Sequence, residues 1–214
     1  MDILNRYSKT ELSKFLQNVF KSCEPISPIF DRNFRFPAPA VKAAILVPFV
    51  FVRKQWSLLF IRRSVANDPH SGQVAFPGGR IEPGDTSPET TSLREAQEEI
   101  GLSPEDVEVV GKLPPLLTVT NYEIHPIVGI IPYPYPFHPS QSEVQKIFTI
   151  PLNWLADSAN YWIEERHLPP PVVKIPTIYY RPYDGEILWG ASAQIVQTML
   201  RLINAQAPSI LDEA

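Results

Sequence analysis

Proline is the residue that most constrains how this chain can fold. The sequence holds 24 prolines among 214 residues, about 11%, against roughly 5% in average proteins. Proline has no backbone N–H and disrupts the interior of helices and sheets. We therefore expect many short strands, long ordered loops and few long helices. Residues 132–139 hold four prolines among eight residues, which predicts a stiff loop outside any sheet.

The order of the predicted elements favours an α+β fold. Residues 9–20 place apolar side chains at i, i+3, i+4, i+7 and i+8, which predicts an amphipathic helix. Residues 43–52 and 56–61 predict a hairpin of largely buried strands. The remaining predictions are a short strand ending in a glycine pair at 78–79, helices over 89–100 and 191–204, and strands over 107–113, 123–131, 146–150, 172–180 and 186–189. This mixed order favours a sheet covered by helices over a regular βαβ array.

Composition excludes several classes of protein. The formal net charge of −4 argues against a surface that wraps nucleic acid. A single cysteine, Cys23, excludes an intramolecular disulfide framework and a multi-cysteine metal site. No stretch approaches the roughly 20 apolar residues that span a bilayer, and the N-terminus lacks the apolar middle of a signal peptide. We expect a cytoplasmic protein with no nucleic-acid and no membrane partner.

Three acidic residues on the helix predicted over 89–100 carry the first functional signal. Glu95, Glu98 and Glu99 lie at i, i+3 and i+4, so they cluster on one side of that helix. Carboxylates this close repel one another unless a cation intervenes, and Arg94 neutralises about one charge. The remaining charge suits a hard divalent cation with oxygen ligands, Mg²⁺ or Mn²⁺. The alternative is an acidic helix face that is simply solvated.

The surrounding pattern resembles the Nudix box. Gly79 begins it, and Arg94-Glu-Ala-Gln-Glu-Glu-Ile-Gly-Leu102 matches the second half of the family pattern. Asp85 takes the place of the first glutamate, and the spacer between Asp85 and Arg94 is one residue longer than usual. The extra residue precedes the helix, where a loop absorbs it without moving the carboxylates.

The resemblance implies a fold and a chemistry. The fold would be an α/β/α sandwich around a mixed sheet, with the box forming a loop-helix-loop. Nudix enzymes hydrolyse a nucleoside diphosphate linked to another group. The resemblance implies Glu95 and Glu99 as the principal metal ligands, joined by Glu98 and the Gly78 carbonyl. Arg94 would orient the glutamates through a salt bridge.

The catalytic base is not fixed in this family. It can be a box glutamate, here Glu98 or Glu99, or a glutamate from a distant loop. Glu143, which follows the proline-rich loop, is our candidate for the distant position. The alternative for Glu143 is an exposed loop carboxylate without a catalytic role.

Upstream segments resemble the coenzyme A pyrophosphatase group of the family. Residues 58–64 and 72–79 are similar to its signature, and the likeness extends over about residues 43–203. The expected substrate is coenzyme A or a thioester, cut to 3′-phospho-ADP and 4′-phosphopantetheine, with Arg62, Arg63 and Phe76 as substrate contacts.

One position departs from that signature. Asp68 stands where the signature often has arginine, and an aspartate would repel a 3′-phosphate. Arg62, Arg63 or His70 could compensate for the missing cation. A dinucleotide or a nucleotide sugar therefore remains the alternative substrate.

Domain boundaries and partners complete the expectations. We expect an N-terminal helix and connector over residues 1–40, the Nudix hydrolase domain over 41–204 and a short tail over 205–214. The expected partner is a small-molecule nucleotide, and a homodimer is one of the oligomeric states that the sequence allows. A Nudix-like domain that binds nucleotides without cleaving them is the alternative from another class. The complete set of arginine and glutamates over 94–99 favours an enzyme.

Overall fold

The described part of the chain contains four α-helices, three short 3-10 helices and ten strands. The fold is taken from a computed structural model, which describes residues 1–21, 38–65, 71–168 and 174–206. The helices are α1 (Lys9–Phe20), α2 (Pro88–Ile100), α3 (Leu152–Ala156) and α4 (Gly190–Gln206). The strands are β1 (Val41–Val52), β2 (Gln55–Arg63), β3 (Val74–Ala75), β4 (Gly78–Arg80), β5 (Glu108–Lys112), β6 (Leu116–Leu117), β7 (Tyr122–Ile130), β8 (Val144–Pro151), β9 (Tyr161–His167) and β10 (Lys174–Tyr180). Among the described residues, no helix is long and apolar enough to cross a membrane.

A mixed sheet built around β1 forms the centre of the fold. β1 pairs in parallel with β7 and antiparallel with both β2 and β4. β8 adds to the other edge of β2, while β9 and β10 form a separate two-stranded sheet. Arg53 and Lys54 close the β1–β2 hairpin with φ of 48° and 64°, which suits the right-handed twist of its strands. The predicted hairpin is confirmed.

Helices cover both faces of this sheet. One cluster, the α4-side core, joins α1 and α4 to Leu58 and Phe60 of β2. The other, the α2-side core, joins Ala96 and Ile100 of α2 to Leu59 of β2 and to other strand residues. Successive β2 residues enter different cores because strand side chains alternate between faces. The expected α+β fold, a mixed sheet between helical layers, is confirmed.

α2 begins and ends with strong local signals. The Ser87 side chain accepts a hydrogen bond from the Thr90 N–H, and Pro88 occupies the first turn, where its missing N–H has no helical partner to lose. Gly101 ends the helix with φ of 69°, a left-handed conformation that glycine adopts without strain. The helix predicted over 89–100 is therefore confirmed to within one residue.

Two late predictions differ from the structure. Residues 186–189 do not form a strand; they make isolated bridges, Tyr183 with Glu186 and Tyr179 with Trp189. The tight turn at Asp184 and Gly185, both with positive φ, leaves too few extended residues for a ladder. β9 was not predicted, because six of its seven residues are exposed and the segment lacks apolar alternation. Residues 172–173 of the strand predicted over 172–180 lie outside the described residues.

Candidate active site

Arg94 contacts three carboxylates, those of Asp85, Glu95 and Glu98. Its Nη1 atom lies 3.0 Å from both Glu95 Oε1 and Glu98 Oε2. Its Nε and Nη2 atoms donate to the two Asp85 oxygens at 3.1 and 3.0 Å, and Nη2 also donates to the Arg80 carbonyl. These hydrogen bonds hold the pKa of Asp85 well below its usual range and raise the pKa of Arg94. The charge-assisted Asp85–Arg94 pair therefore fixes the loop before α2 to the helix itself.

Glu99 is a buried carboxylate held between a strand and a cation. Only 4% of its side chain is exposed. Its Oε2 accepts the Gly78 N–H at 2.9 Å, and its Oε1 lies 3.2 Å from Arg63 Nη1. Burial raises the pKa of Glu99 to about 7, against the lowering effects of Gly78 and Arg63. A carboxyl that resists ionisation in this way favours an added positive charge nearby.

The glycine pair in β4 makes room for α2 on the sheet. A Cβ on Gly79 would lie 2.4 Å from the Glu95 carboxylate, so Glu95 packs directly over the strand. A Cβ on Gly78 would lie 2.4 Å from the Ala44 carbonyl oxygen, and its φ is 151°. The pair was predicted to end a strand, whereas it lies inside β4, paired with β1. Burial raises the pKa of Glu95 as well.

The proline-rich loop connects the end of α2 to Glu143. The His138 N–H donates to the Ile100 carbonyl at 3.0 Å, and the Ser140 N–H donates to the Glu99 carbonyl at 2.9 Å. These bonds satisfy carbonyls that a helix end leaves without helical partners. Residues 132–139 form no strand or helix, as predicted, and act as a brace on the last turn of α2.

Glu143 lies in the turn that follows this brace. Its N–H donates to the Ser140 carbonyl at 3.0 Å, and its carbonyl accepts the Ser64 N–H at 2.8 Å. The side chain is exposed, and its negative charge adds to burial, the main cause, in raising the pKa of Glu95 and Glu99. Backbone hydrogen bonds through Ser140 thus tie the turn that carries this sequence-remote glutamate to the last turn of α2. The brace itself was missed in the sequence, where the only signal was a rigid loop directly before Ser140.

Two of the three predicted substrate contacts, Arg62 and Phe76, have protein partners outside the box. Arg62 Nη1 is 3.3 Å from Glu186 Oε2, a carboxylate outside the box, whereas Arg63 contacts Glu99. The Phe76 ring is 2% exposed and stacks on Phe60 with centroids 4.6 Å apart. The Phe76 ring is therefore part of the α4-side core, and its contact with substrate stays a prediction. Asp68 and His70 lie outside the described residues.

The donor set fits a hard divalent cation. Within the described ranges, no three side chains of the histidine, cysteine, aspartate or glutamate type are already arranged as a ligand group. Arginines hold the box carboxylates instead, through Arg63 and Arg94. The donors are all carboxylate oxygens, which Mg²⁺ and Mn²⁺ prefer, and burial and mutual repulsion raise the pKa of two of them, Glu95 and Glu99. The residues present therefore fit such a cation.

Comparison with known proteins finds relatives for most of the chain. The NUDIX domain model matches residues 41–161. An uncharacterised Nudix hydrolase named NudL from Escherichia fergusonii is 39% identical over 158 residues, 74% of this chain and 80% of that protein. NudL from Klebsiella pneumoniae subsp. pneumoniae is 39% identical over 165 residues, 77% of this chain and 84% of that protein. A solved MutT/nudix family protein from Enterococcus faecalis gives a TM-score of 0.47 at 14% identity, over 92% of this chain and 75% of that one.

The sequence matches, rather than the structural one, place the chain in a family. The chain belongs to the Nudix family. It is an enzyme of that class, a Nudix hydrolase, and hydrolases of this class generally use divalent metal ions.

Substituting the two glycines of β4 should separate folding from function. Gly78→Ala forces a Cβ against backbone at positive φ, so we expect the free energy of unfolding to fall by at least about 2 kcal/mol. The atoms nearest to a Cβ at Gly79 are those of the Glu95 carboxylate, the end of a side chain that can shift more cheaply than backbone. Gly79→Ala should therefore cost clearly less stability than Gly78→Ala while lowering hydrolysis roughly tenfold or more, because it displaces Glu95. Denaturant unfolding and turnover measure the two effects. Gly84→Ala is the control, since a Cβ there meets nothing within 4 Å; equal behaviour of all three variants would contradict this account.

Glu99 should make the stability of the cation-free protein depend on pH. Its folded pKa of about 7 lies above the usual value of a glutamate, so between these two values the folded state binds a proton that the unfolded state has released. This stabilisation is lost as pH rises through 7. From pH 5 to pH 8 in EDTA, the free energy of unfolding should fall by about 2 kcal/mol more in the wild type than in Glu99→Gln. Urea titrations at each pH measure it, and parallel pH profiles for the two proteins would refute the burial argument.

Proposed function

We propose that the protein hydrolyses the pyrophosphate bond of coenzyme A or a coenzyme A thioester, releasing 3′-phospho-ADP and 4′-phosphopantetheine. The observation that carries the hydrolytic part is the grouping of Glu95, Glu98 and Glu99 on one side of α2, where arginines contact all three. The Ser140 N–H, which donates to the Glu99 carbonyl, ties the turn of Glu143 to this end of α2. The resemblance of residues 58–64 and 72–79 to the coenzyme A group supports the substrate. We propose the boundaries 41–204 for the hydrolase domain, with Mg²⁺ or Mn²⁺ as the cation.

The box residues take distinct parts in this proposal. Glu95 and Glu99 are the principal ligands of the cation, joined by Glu98 and the Gly78 carbonyl. A bound divalent cation neutralises the diphosphate and lowers the pKa of an attacking water. Arg94 fixes the directions of Glu95 and Glu98 through its two 3.0 Å contacts. Preorganised carboxylates of this kind avoid reorganisation during the reaction.

Glu143 is our proposed general base. It is exposed, so it reaches solvent water, and its backbone is tied to Ser140 and Ser64, which limits its freedom. Glu98 and Glu99 are the alternatives within the box. Glu99 is the weaker of these, since Gly78 and Arg63 already engage both of its oxygens. A general base has to lie within hydrogen-bond reach of the water that it deprotonates.

A dinucleotide or nucleotide sugar is the second candidate substrate. Asp68 favours it, because a carboxylate at that position repels the 3′-phosphate that distinguishes coenzyme A. Arg62 is engaged by Glu186 and Phe76 is buried, so neither supplies an evident contact for that phosphate. Arg63 is the remaining proposed substrate contact among the described residues.

A substrate panel tests the proposed function directly. Coenzyme A, dephospho-coenzyme A, NADH, ADP-ribose and a diadenosine polyphosphate are incubated with Mg²⁺ or Mn²⁺, and products are identified by chromatography and mass spectrometry. We expect 3′-phospho-ADP and 4′-phosphopantetheine from coenzyme A.

Glu99→Gln should reduce turnover by more than about 100-fold, because even the loss of a residue that only orients a metal ligand lowers activity by about 10- to 100-fold. Glu89→Gln, exposed on the first turn of α2, is the matched control and should keep activity. No product from any substrate would sink the proposal.

Asp68 provides a test of substrate choice. Asp68→Arg replaces a repulsive charge with an attractive one, so kcat/KM for coenzyme A should rise relative to dephospho-coenzyme A by roughly tenfold. The ratio of the two values, measured side by side, isolates the 3′-phosphate. Glu105→Arg makes the same change of charge at an exposed position in the short helical turn Pro104–Asp106 and should leave the ratio unaltered. An equal ratio in the wild type and Asp68→Arg would rule out this role.

A further inference from the structure

Arg63 contacts Glu99 at the place where a cation is expected to bind. Its Nη1 atom lies 3.2 Å from Glu99 Oε1, and the Gly78 N–H holds the other oxygen at 2.9 Å. Both oxygens of this proposed metal ligand therefore have protein donors. A divalent cation that reaches Glu99 has to meet one of the two donors at close range.

The two donors differ in their freedom to move. Gly78 is paired in β4 with Ile45 of β1, and its position lies tightly against the backbone of Ala44. Arg63 is the last residue of β2, and 29% of its side chain is exposed, against 4% for Glu99. A long, partly solvated side chain can change rotamer, whereas a backbone N–H moves only when its paired strand moves. Arg63 is therefore the donor that can leave.

Arg94 provides a contrast within the same site. It contacts Asp85, Glu95 and Glu98 at once and also donates to a backbone carbonyl. Several simultaneous bonds fix its guanidinium. In the described part of the chain, the Arg63 guanidinium has one acidic partner, Glu99. Arg94 is suited to a static role and Arg63 to an exchangeable one.

We propose that Arg63 competes with the divalent cation for Glu99, holding the carboxylate in the cation-free protein and leaving it for the substrate diphosphate when the cation binds. A guanidinium and a divalent cation at one oxygen repel each other, so they occupy Glu99 in turn. The released guanidinium is a strong donor to phosphate oxygens. Cation binding then precedes productive diphosphate binding. This inference rests on the proposed function, since it takes Glu99 as a metal ligand and a diphosphate as the substrate.

Calorimetric titration of Mn²⁺ into the substrate-free protein tests the competition. Arg63→Gln should bind Mn²⁺ roughly tenfold more tightly than the wild type, because no charged donor then competes for Glu99. Arg62→Gln is the neighbouring control; it pairs with Glu186 instead and should change the affinity less than about twofold. Arg80→Gln removes the same charge at an exposed position in β4 and should tighten binding clearly less than Arg63→Gln. Equal or weaker binding by Arg63→Gln, or an equal gain in Arg80→Gln, overturns the proposal.

A crystal structure of the wild type with Mn²⁺ provides a second test that needs no variant. We expect the distance from Arg63 Nη1 to Glu99 Oε1 to exceed about 4 Å, the limit for an ion pair, once the cation is bound. A retained contact near 3.2 Å beside a bound cation contradicts the exchange. The proposed function fails separately, by the absence of product in the substrate panel, whatever the titration and this distance show.

Discussion

The burial of the Glu99 carboxylate is the interaction on which the site depends. A charged group removed from water is costly unless donors replace the water. Gly78 and Arg63 supply those donors, and the missing side chains of the glycine pair let α2 approach closely enough to receive them. On the same helix, Ala96 and Ile100 enter the α2-side core. One placement of α2 therefore satisfies its apolar face and its acidic face together.

Local periodicity explains which parts of the fold could be predicted. The spacing of apolar residues in α1 and the capping residues of α2 act within a few positions of the chain, so both helices were predicted nearly residue by residue. β9 has no such pattern, since its exposed residues are ordered by pairing with β10 rather than by burial. The false strand over 186–189 has apolar residues but also a turn at Gly185 that brings them back on the preceding strand.

The same distinction applies to the site: residues placed by local helical spacing could be predicted, and residues placed by the assembly of the sheet could not. Glu95, Glu98 and Glu99 converge because helical spacing alone puts them together. The different surroundings of Arg62 and Arg63 could not be assigned from the sequence, since both faces of β2 are buried and nothing local says which face meets α2. The burial of Phe76 has the same origin, an aromatic cluster with Phe60 that only the sheet assembles. Glu143 was proposed from its position after the proline-rich loop, and hydrogen bonds from that loop to the end of α2 supply the physical reason for its approach.

The charges of the site explain why it folds without a cation and still favours one. Two arginines, Arg63 and Arg94, contact four carboxylates: Asp85, Glu95, Glu98 and Glu99. The exposed Glu143 adds a fifth negative charge that acts on Glu95 and Glu99. With every group ionised, the sum is two minus five, a net charge of −3. The arginines offset enough of the repulsion between carboxylates for α2 to pack on the sheet. Burial and the remaining repulsion still disfavour the ionised forms of Glu95 and Glu99, which is why their pKa values are raised. A third fixed arginine would reduce the negative charge of the site further, but it would occupy the carboxylate oxygens that a divalent cation needs. Because the negative charge is only partly neutralised, the same carboxylates can serve both folding and cation binding.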